Sequence, residues 1–264
     1  MLLAVRHETT YRYAEKVTRS TQYIRLTPYA GARQRVIDWQ VELPGHSVTM
    51  RDAFDNETHL LTLDTPHSMI RLIAQGRVDV EELDDGEPAG RINPMVFLRA
   101  TPLTAVDEAL RTFVEPMRRV VAQRPLIGST DLMAAVAERM PYQPGSTSVG
   151  HTAAESFALG AGVCQDHTHV FLACCRHLGI PARYVSGYVH ASSGAQVASH
   201  AWAEAWIAQR WVSFDISNAR HAGGGHIKLA IGLDYLDACP VRGVRIGGGE
   251  ESLSALASVE IAQQ

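Results

Sequence analysis

The first part of the chain alternates apolar and polar residues with the two-residue period of β-strands. Alternating segments rich in Thr, Tyr, Val and Ile lie at residues 6–13, 22–27, 36–43, 59–63 and 69–74. Short strands at this spacing, separated by Pro, Gly and Asn-Glu turns, predict a small antiparallel β-sandwich over residues 1–85. No constellation of titratable groups in this region resembles an active site. We therefore expect a domain that packs on the rest of the chain or forms a collar around substrate.

A polar segment rich in turn residues, at positions 84–90, marks the end of this pattern. Residues 86–103 are interpreted as a linker. Apolar residues then recur at helical spacing and predict helices over residues 104–119, 129–140 and 164–178. The first of these helices opens with a capping signature and should kink at Pro116.

Strand-like sequence returns after the third helix. The predicted strands cover residues 182–190, 198–207 and 211–215, with weaker strands from residue 227 and a last one at 252–261. Helices followed by strands predict an α+β domain over residues 104–264.

Composition and charge exclude several classes of protein. Apolar residues make up 46% of the 264 residues and charged residues 20%, as in ordinary globular proteins. The formal net charge of −4 leaves no basic excess, so nucleic acid is not an expected partner. No stretch approaches the ~18 apolar residues of a membrane span, and the apolar run at the N-terminus is too short for a signal peptide. Four cysteines, two of them adjacent, do not indicate a disulfide framework, so a cytoplasmic location is expected.

A glycine-rich turn followed by a cysteine is the first feature that carries chemistry. In the run Gly160-Ala161-Gly162-Val163-Cys164-Gln165-Asp166, the glycines lead into Cys164 at the predicted start of a helix. The positive end of the helix dipole favours the nucleophilic thiolate there, and the glycines let a substrate backbone come close. Most free cysteines are instead buried as small hydrophobic residues. Cys174 and Cys175, in apolar company inside the helix, fit that second role.

A histidine and an aspartate on two later strands complete a candidate catalytic set. The strand period places His200 and Trp202 on one face of the segment 199–206. Asp215 ends an apolar strand at a distance that suits a hairpin partner, so it could hold the ring of His200. Taken singly, a structural histidine and a solvent-facing carboxylate are the ordinary interpretations. Together with Cys164, they follow the logic of a nucleophile, its base and a group that orients the base.

Other interpretations of these residues have weaker support. A zinc site that uses Cys164, His167, His169 and His177 matches no standard ligand spacing, so no metal is expected. Ser186 does not lie in the G-x-S-x-G pattern of a serine hydrolase. A groove that binds peptide without cleaving it stays open, although all three catalytic groups are present.

Four motifs resemble the bacterial transglutaminase-like superfamily. They are Gly162-Val163-Cys164-Gln165-Asp166, the run from Leu178 to Tyr188, Ser199-His200-Ala201-Trp202-Ala203-Glu204 and Trp211-Val212-Ser213-Phe214-Asp215. Residues 142–147, 232–237 and 240–243 extend the similarity, and the N-terminal β segment is similar to the β-region that precedes the core in these proteins. One departure is Ile216-Ser217-Asn218, where many relatives have Pro-Thr-Asn. The departure leaves the triad intact and concerns the shape of the adjacent substrate wall.

The resemblance implies a papain-like core in which the cysteine helix packs on an antiparallel sheet that carries the histidine and the aspartate. Carried over by motif, Cys164 is the nucleophile, His200 is the general base and then acid, and Asp215 is the orienting group. No cofactor is implied. The core also lacks calcium loops of the D-x-D-x-D-G type, so calcium dependence is not expected.

The expected chemistry is acyl transfer through a thioester on a peptide or protein substrate. The backbone N–H of Cys164 is one expected donor of the oxyanion hole. Water as the acyl acceptor gives a peptidase or amidase, which is the favoured outcome, whereas a lysine amine gives a transglutaminase. The residues expected to line the substrate cleft are Gly162, Gln165, His167, Trp202 and Trp211. Nothing in the sequence indicates an oligomeric state.

Overall fold

The computed structural model describes residues 1–82, 86–190 and 199–262, and it has the α+β architecture expected from the sequence. The strands are β1 (Leu2–Ile24), β2 (Gln34–Glu42), β3 (Ser47–Arg51), β4 (Glu57–Leu63), β5 (His67–Val80), β6 (Ala182–Val189), β7 (His200–Ile207), β8 (Arg210–Asp215), β9 (Arg220–His221), β10 (His226–Gly232), β11 (Val241–Gly247) and β12 (Glu251–Ile261). The α-helices are α1 (Glu108–Val114), α2 (Arg118–Gln123), α3 (Pro125–Arg139), α4 (Ala153–Leu159), α5 (Cys164–His177) and α6 (Tyr235–Ala238). Within the described ranges, no helix is both long enough and apolar enough to cross a membrane.

The first sheet is antiparallel and is organised around the long strand β1. The first half of β1 pairs with β5 and its last residues pair with β4, while β2 and β3 lie outside them. Leu3 and Val5 are buried between partly or fully exposed neighbours, as expected for a sheet with one covered face. That face packs on Ile227 and Leu229 of the second sheet. Residues 1–85 therefore contribute strands to a single sheet that packs on the second sheet, and they do not form the predicted sandwich of their own.

The C-terminal hairpin returns to this first sheet. Strand β12 pairs with residues 3–13 of β1, and β11 pairs with residues 17–24, along the edge that β5 and β4 leave free. The sequence pattern predicted that these strands belong to the domain at residues 104–264, but the structure pairs them with β1 of the first sheet. The backbone groups along both edges of β1 need partners, and the alternation of side chains does not show which distant strand supplies them.

The second sheet carries the strand order β10-β6-β7-β8-β9 and is antiparallel throughout. Helix α5 packs on the face of β7 that presents Ala201, Ala203 and Ala205. These side chains are short, so the helix backbone comes close to the sheet. The tryptophans of β7 lie on the opposite face, as the strand period predicted.

The helices confirm the predicted pattern but shift its boundaries. A 3-10 turn at Glu115–Met117, which contains Pro116, separates α1 from α2 where the kink was predicted. The side chain of Asp107 caps α1 by accepting from Leu110 N–H at 2.8 Å. Helix α3 begins at Pro125, earlier than predicted, and α4 was not predicted although Thr152 and Glu155 form a capping box.

The segment interpreted as a linker packs against the second sheet. Glu87 and Trp211 exchange two backbone hydrogen bonds, of 2.9 and 2.7 Å. Phe97 is fully buried, with its ring centroid 5.3 Å from that of Trp211. Residues 86–103 therefore form part of the packed structure. Residues 83–85, in the predicted boundary, and residue 198, predicted to open a strand, lie outside the described residues.

Candidate active site

The four cysteines differ sharply in their surroundings. Cys164 is the first residue of α5 and is only partly buried, whereas Cys174, Cys175 and Cys239 are buried. Burial raises the pKa of the Cys174 thiol to about 12 and holds the pKa of Cys175 well above its usual value. A cysteine nucleophile must be reachable and able to ionise. Cys164 is the one that combines access with a helix N-terminus.

Asp166 holds the turn that presents Cys164, a role that the sequence analysis missed. Its carboxylate accepts hydrogen bonds from Val163 N–H at 2.8 Å, Ser156 Oγ at 2.9 Å and Thr147 Oγ1 at 2.6 Å. A Cβ atom on Gly162 would lie 2.6 Å from the Cβ of Asp166, so only glycine permits this packing. The structure thus gives Gly162 a role in shaping the turn, and its contact with substrate stays a prediction. An acidic residue two positions into a helix that begins at Cys164 was the available signal.

His200 and Asp215 meet because β7 and β8 are adjacent antiparallel strands. His200 opens β7, Asp215 closes β8, and the His200 Nε2 to Asp215 Oδ1 distance is 3.0 Å. Burial alone would lower the pKa of His200, but hydrogen bonds with Asp215 and Cys164, and the charges of both, raise it to about 9. Since Nε2 faces Asp215, Nδ1 is the nitrogen available to Cys164. The arrangement stabilises the imidazolium form of His200.

Asp215 is fully buried, and its two oxygens have different partners. Oδ1 faces His200 and accepts from Ser217 Oγ at 3.3 Å. Oδ2 accepts from Asn218 Nδ2 at 2.7 Å and lies 3.8 Å from Nε of the largely exposed Arg220. Burial would raise the pKa of Asp215, but hydrogen bonds from His200 and His226 hold it well below its usual range. Asn218, the residue retained in the Ile216-Ser217-Asn218 segment, thus binds the Asp215 carboxylate directly.

His226 is a second histidine that contacts the Asp215 carboxylate, and no motif in the sequence pointed to it. It is buried at the first position of β10, with Nε2 2.9 Å from Asp215 Oδ2. Strands β6 and β7 separate β10 from β8, so no local spacing in the sequence points to this contact. On β6, a Cβ atom at Gly187 would lie 2.6 Å from the ring of Trp202. Because Gly187 has no side chain, the ring of Trp202 can lie over β6 and contact the ring of His226.

Three ligand atoms, from His200, Asp215 and His226, lie within 4.8 Å of one another and form the one group with metal-ligand character in the described parts of the chain. Each histidine Nε2 already faces a different oxygen of Asp215 at hydrogen-bond distance. These bonds account for the cluster without an ion. Of the histidines considered as zinc ligands from the sequence, His169 accepts a hydrogen bond from Tyr235 N–H at 3.1 Å, and His177 lies 3.4 Å from Glu115.

Two of the residues expected in the cleft instead secure the loop beside Cys164. The side chain of Gln165 donates to the carbonyl of Val149 at 3.1 Å. His167 is almost completely buried, with its ring nitrogens 2.8 and 2.5 Å from the carbonyl oxygens of Val163 and Met140. The exposed ring of Tyr142 stacks over His167. These contacts place Tyr142 at the surface above them, so it is the better candidate for a side chain that substrate meets.

The two tryptophans expected in the cleft have different places. The ring of Trp202 is almost wholly buried and stacks on the ring of His200, with the centroids 6.1 Å apart, so it supports that ring from the interior. Trp211 is equally buried and lies under the guanidinium of Arg183, at 4.1 Å, and against Phe97. The structure does not bring Trp211 to the catalytic groups, because its side chain faces the packed segment 86–103.

A buried ionic cluster lies in the same sheet. Glu204 is fully buried and lies 2.6 Å from Arg183 and 2.6 Å from Lys228, and Lys228 also contacts Glu87 at 2.8 Å. Burial would raise the pKa of Glu204, but the two cations keep it below its usual value. The cluster ties the segment that begins near Glu87 to the sheet that carries the triad.

Comparison with known proteins agrees with this geometry. Residues 120–216 match the Transglutaminase-like superfamily, and residues 3–79 match the Bacterial transglutaminase-like N-terminal region. The chain belongs to the bacterial transglutaminase-like superfamily, which confirms the resemblance found in the sequence.

Particular relatives cover nearly the whole chain. The uncharacterized protein ML0607 of Mycobacterium leprae is 30% identical over 97% of this chain and 98% of its own length. The uncharacterized protein Rv2569c of Mycobacterium tuberculosis is 28% identical over 94% of this chain and 89% of its own. A crystal structure from Cytophaga hutchinsonii, of a protein provisionally assigned as a cysteine protease, superposes with a TM-score of 0.73 at 19% identity over 100% of this chain and 91% of that one. This last similarity shows a shared fold.

Proposed function

We propose that the protein is a thiol acyl-transfer enzyme that acts on peptide or side-chain amide bonds, with water as the favoured acceptor. The observation that carries the proposal is the connected series of Cys164, His200 and Asp215. The series joins a cysteine at a helix start to a histidine whose pKa is raised to about 9 and to a buried carboxylate that is held ionised. This is the arrangement that an activated cysteine nucleophile requires.

In the proposed reaction, the Cys164 thiolate adds to the amide carbonyl carbon and forms a C–S bond. The C–N bond then breaks as His200 gives its Nδ1 proton to the leaving nitrogen, which departs as an amine or ammonia. Water, deprotonated by His200, attacks the thioester, releases a carboxylic acid and regenerates the thiolate and the imidazolium. Asp215 exchanges no proton with substrate and stabilises the imidazolium at both stages.

Water is the proposed acceptor because the sequence holds no calcium loop that could restrain crosslinking, and ungated crosslinking would damage lysine-rich surroundings. All four cysteines are free, which favours a reducing compartment such as the cytoplasm as the place of this reaction. The substrate is proposed to be a peptide or protein.

The test is incubation with a library of glutamine-containing peptides and an excess of a labelled primary amine, with ammonia release and incorporation of label followed together. Cleaved or deamidated peptide with little label supports the proposal. Label incorporated at the rate of ammonia release contradicts it and makes the protein a transglutaminase. Peptide that binds but stays unchanged identifies a binding module. Cys164→Ala is the matched control, since it removes the nucleophile and leaves the rest of the site intact.

A further inference from the structure

The geometry points to His226 as a positioning residue: it holds the Asp215 carboxylate so that one oxygen is kept for His200. This inference rests on the proposed function, since it concerns the same catalytic series. The motif that carries the family resemblance around Asp215 does not include His226, and no step of the proposed reaction uses it. It is nevertheless buried and lies in direct contact with the orienting carboxylate.

The hydrogen bonds of His226 assign its tautomer. Nδ1 accepts from the backbone N–H of Gly223 at 3.2 Å, so this nitrogen carries no proton. The proton of the neutral ring is then on Nε2, which donates to Asp215 Oδ2 at 2.9 Å. Burial lowers the pKa of His226, which keeps the ring neutral despite the adjacent carboxylate. His226 thus supplies a fixed, uncharged donor.

The carboxylate is thereby held at both ends. With Oδ2 bound by His226 and Asn218, Oδ1 is the oxygen left to face His200. The rings of His200 and His226 are 6.1 Å apart, and the ring of Trp202 contacts both. A second cation at hydrogen-bond distance would compete with the imidazolium for the carboxylate. His226 donates to Oδ2 at 2.9 Å without a charge, whereas the guanidinium of Arg220 is largely exposed and its Nε lies farther away, 3.8 Å from Oδ2. Loss of the donor would leave a buried oxygen without its hydrogen bond and free the carboxylate to turn away from His200.

Three variants distinguish the contribution of the Nε2 hydrogen bond of His226 from that of its Nδ1 hydrogen bond. In His226→Gln, the side-chain amide reaches the position of Nε2 and keeps a donor for Asp215. In His226→Asn, the shorter amide reaches only the position of Nδ1 and keeps an acceptor for Gly223. His226→Leu removes both. The rate at which iodoacetamide alkylates Cys164 near pH 6 reports the thiolate directly and needs no substrate. The ultraviolet absorbance of the thiolate gives a second measure.

In His226→Gln, we expect iodoacetamide to alkylate Cys164 at a rate within about threefold of the wild-type rate. His226→Asn and His226→Leu should fall by about 10- to 100-fold, as when a group that orients a metal-bound histidine is removed. Equal alkylation rates in all variants, or slow alkylation in the Gln variant and normal alkylation in the Asn variant, would show that His226 only stabilises the turn that contains Gly223. Should the Leu variant not fold, the two amide variants decide alone.

Two controls keep this result separate from the proposed function. His7→Gln alters another buried, neutral histidine, which bonds to Tyr188 and Thr9 in the packing between the two sheets, and should leave alkylation unchanged. If wild-type Cys164 is no more reactive than an ordinary thiol, the proposed function fails first. If wild-type Cys164 is reactive and the three His226 variants are alkylated at the same rate, the proposed function stands and only the positioning role of His226 is refuted.

Discussion

Replacing Asp215 by asparagine should disable the triad by reversing the tautomer of His200. Asparagine has one acceptor oxygen and one amide group in place of two carboxylate oxygens. The Oδ2 position faces the donors His226 and Asn218, with Arg220 Nε 3.8 Å away, whereas the Oδ1 position faces His200 and the rotatable hydroxyl of Ser217. The amide oxygen therefore takes the Oδ2 position, and the NH₂ group points at His200. The ring must then accept at Nε2 and carry its proton on Nδ1, where it can no longer take a proton from Cys164.

The size of the effect follows from the His200 pKa. Its rise from 6.5 to about 9 corresponds to a net stabilisation of the imidazolium by about 3 kcal/mol, which Asp215 and Cys164 supply in excess of the cost of burying the charge. If Asp215 supplies half or more, Asp215→Asn should slow alkylation of Cys164 at neutral pH by about 10- to 100-fold. Acyl transfer should fall further, towards the ~10⁴-fold known for the corresponding change in serine proteases, because the wrong tautomer also blocks proton transfer.

The assay is the iodoacetamide rate at Cys164 by mass spectrometry, alongside peptide turnover and a thermal unfolding curve. Asp237→Asn is the matched control, since this aspartate accepts only the Leu233 N–H, at 3.1 Å, among its described hydrogen bonds. A folded Asp215→Asn protein that alkylates and turns over peptide at the wild-type rates would refute the argument. Asp215 would then be a strand-end cap.

Four further outcomes are expected. With limiting iodoacetamide near pH 6, Cys164 should be labelled before the three buried cysteines, and labelling of any other first would contradict the assignment. Peptide turnover should fall above about pH 9, where His200 loses the proton that the leaving amine needs, while alkylation of the thiolate should not fall there. Dialysis against a chelator should leave the unfolding temperature and the alkylation rate unchanged. If dialysis removes stoichiometric zinc and lowers both quantities, the cluster around Asp215 holds a metal. Glu204→Gln should lower the free energy of unfolding by about 3 kcal/mol in urea titrations, because Arg183 keeps a buried charge without its partner, and an unchanged midpoint would show that the cluster adapts.

Local patterns in the sequence were enough to identify the family and to predict that His200 and Asp215 lie in contact. The strand alternation, the glycine turn before Cys164 and the order of His200 and Asp215 each depend on neighbours close along the chain. The hairpin between β7 and β8 is such a local unit, so the meeting of His200 with Asp215 was predictable. For the same reason the start of α5 and the kink at Pro116 lie where the pattern put them.

Tertiary structure decided what depends on distant segments. The pairing of β12 with β1 and the burial of Trp211 against residues 86–103 join parts of the chain that are far apart in the sequence. His226 is only 11 residues from Asp215, but its contact depends on the placement of β10, which β6 and β7 separate from β8 in the sheet. A sequence pattern records which face of an element is buried. It does not record what covers that face, because many distant segments satisfy the same apolar and hydrogen-bonding needs. Packing therefore decided which residues surround Cys164, His200 and Asp215, whereas the motifs were enough to single out these three residues as candidates.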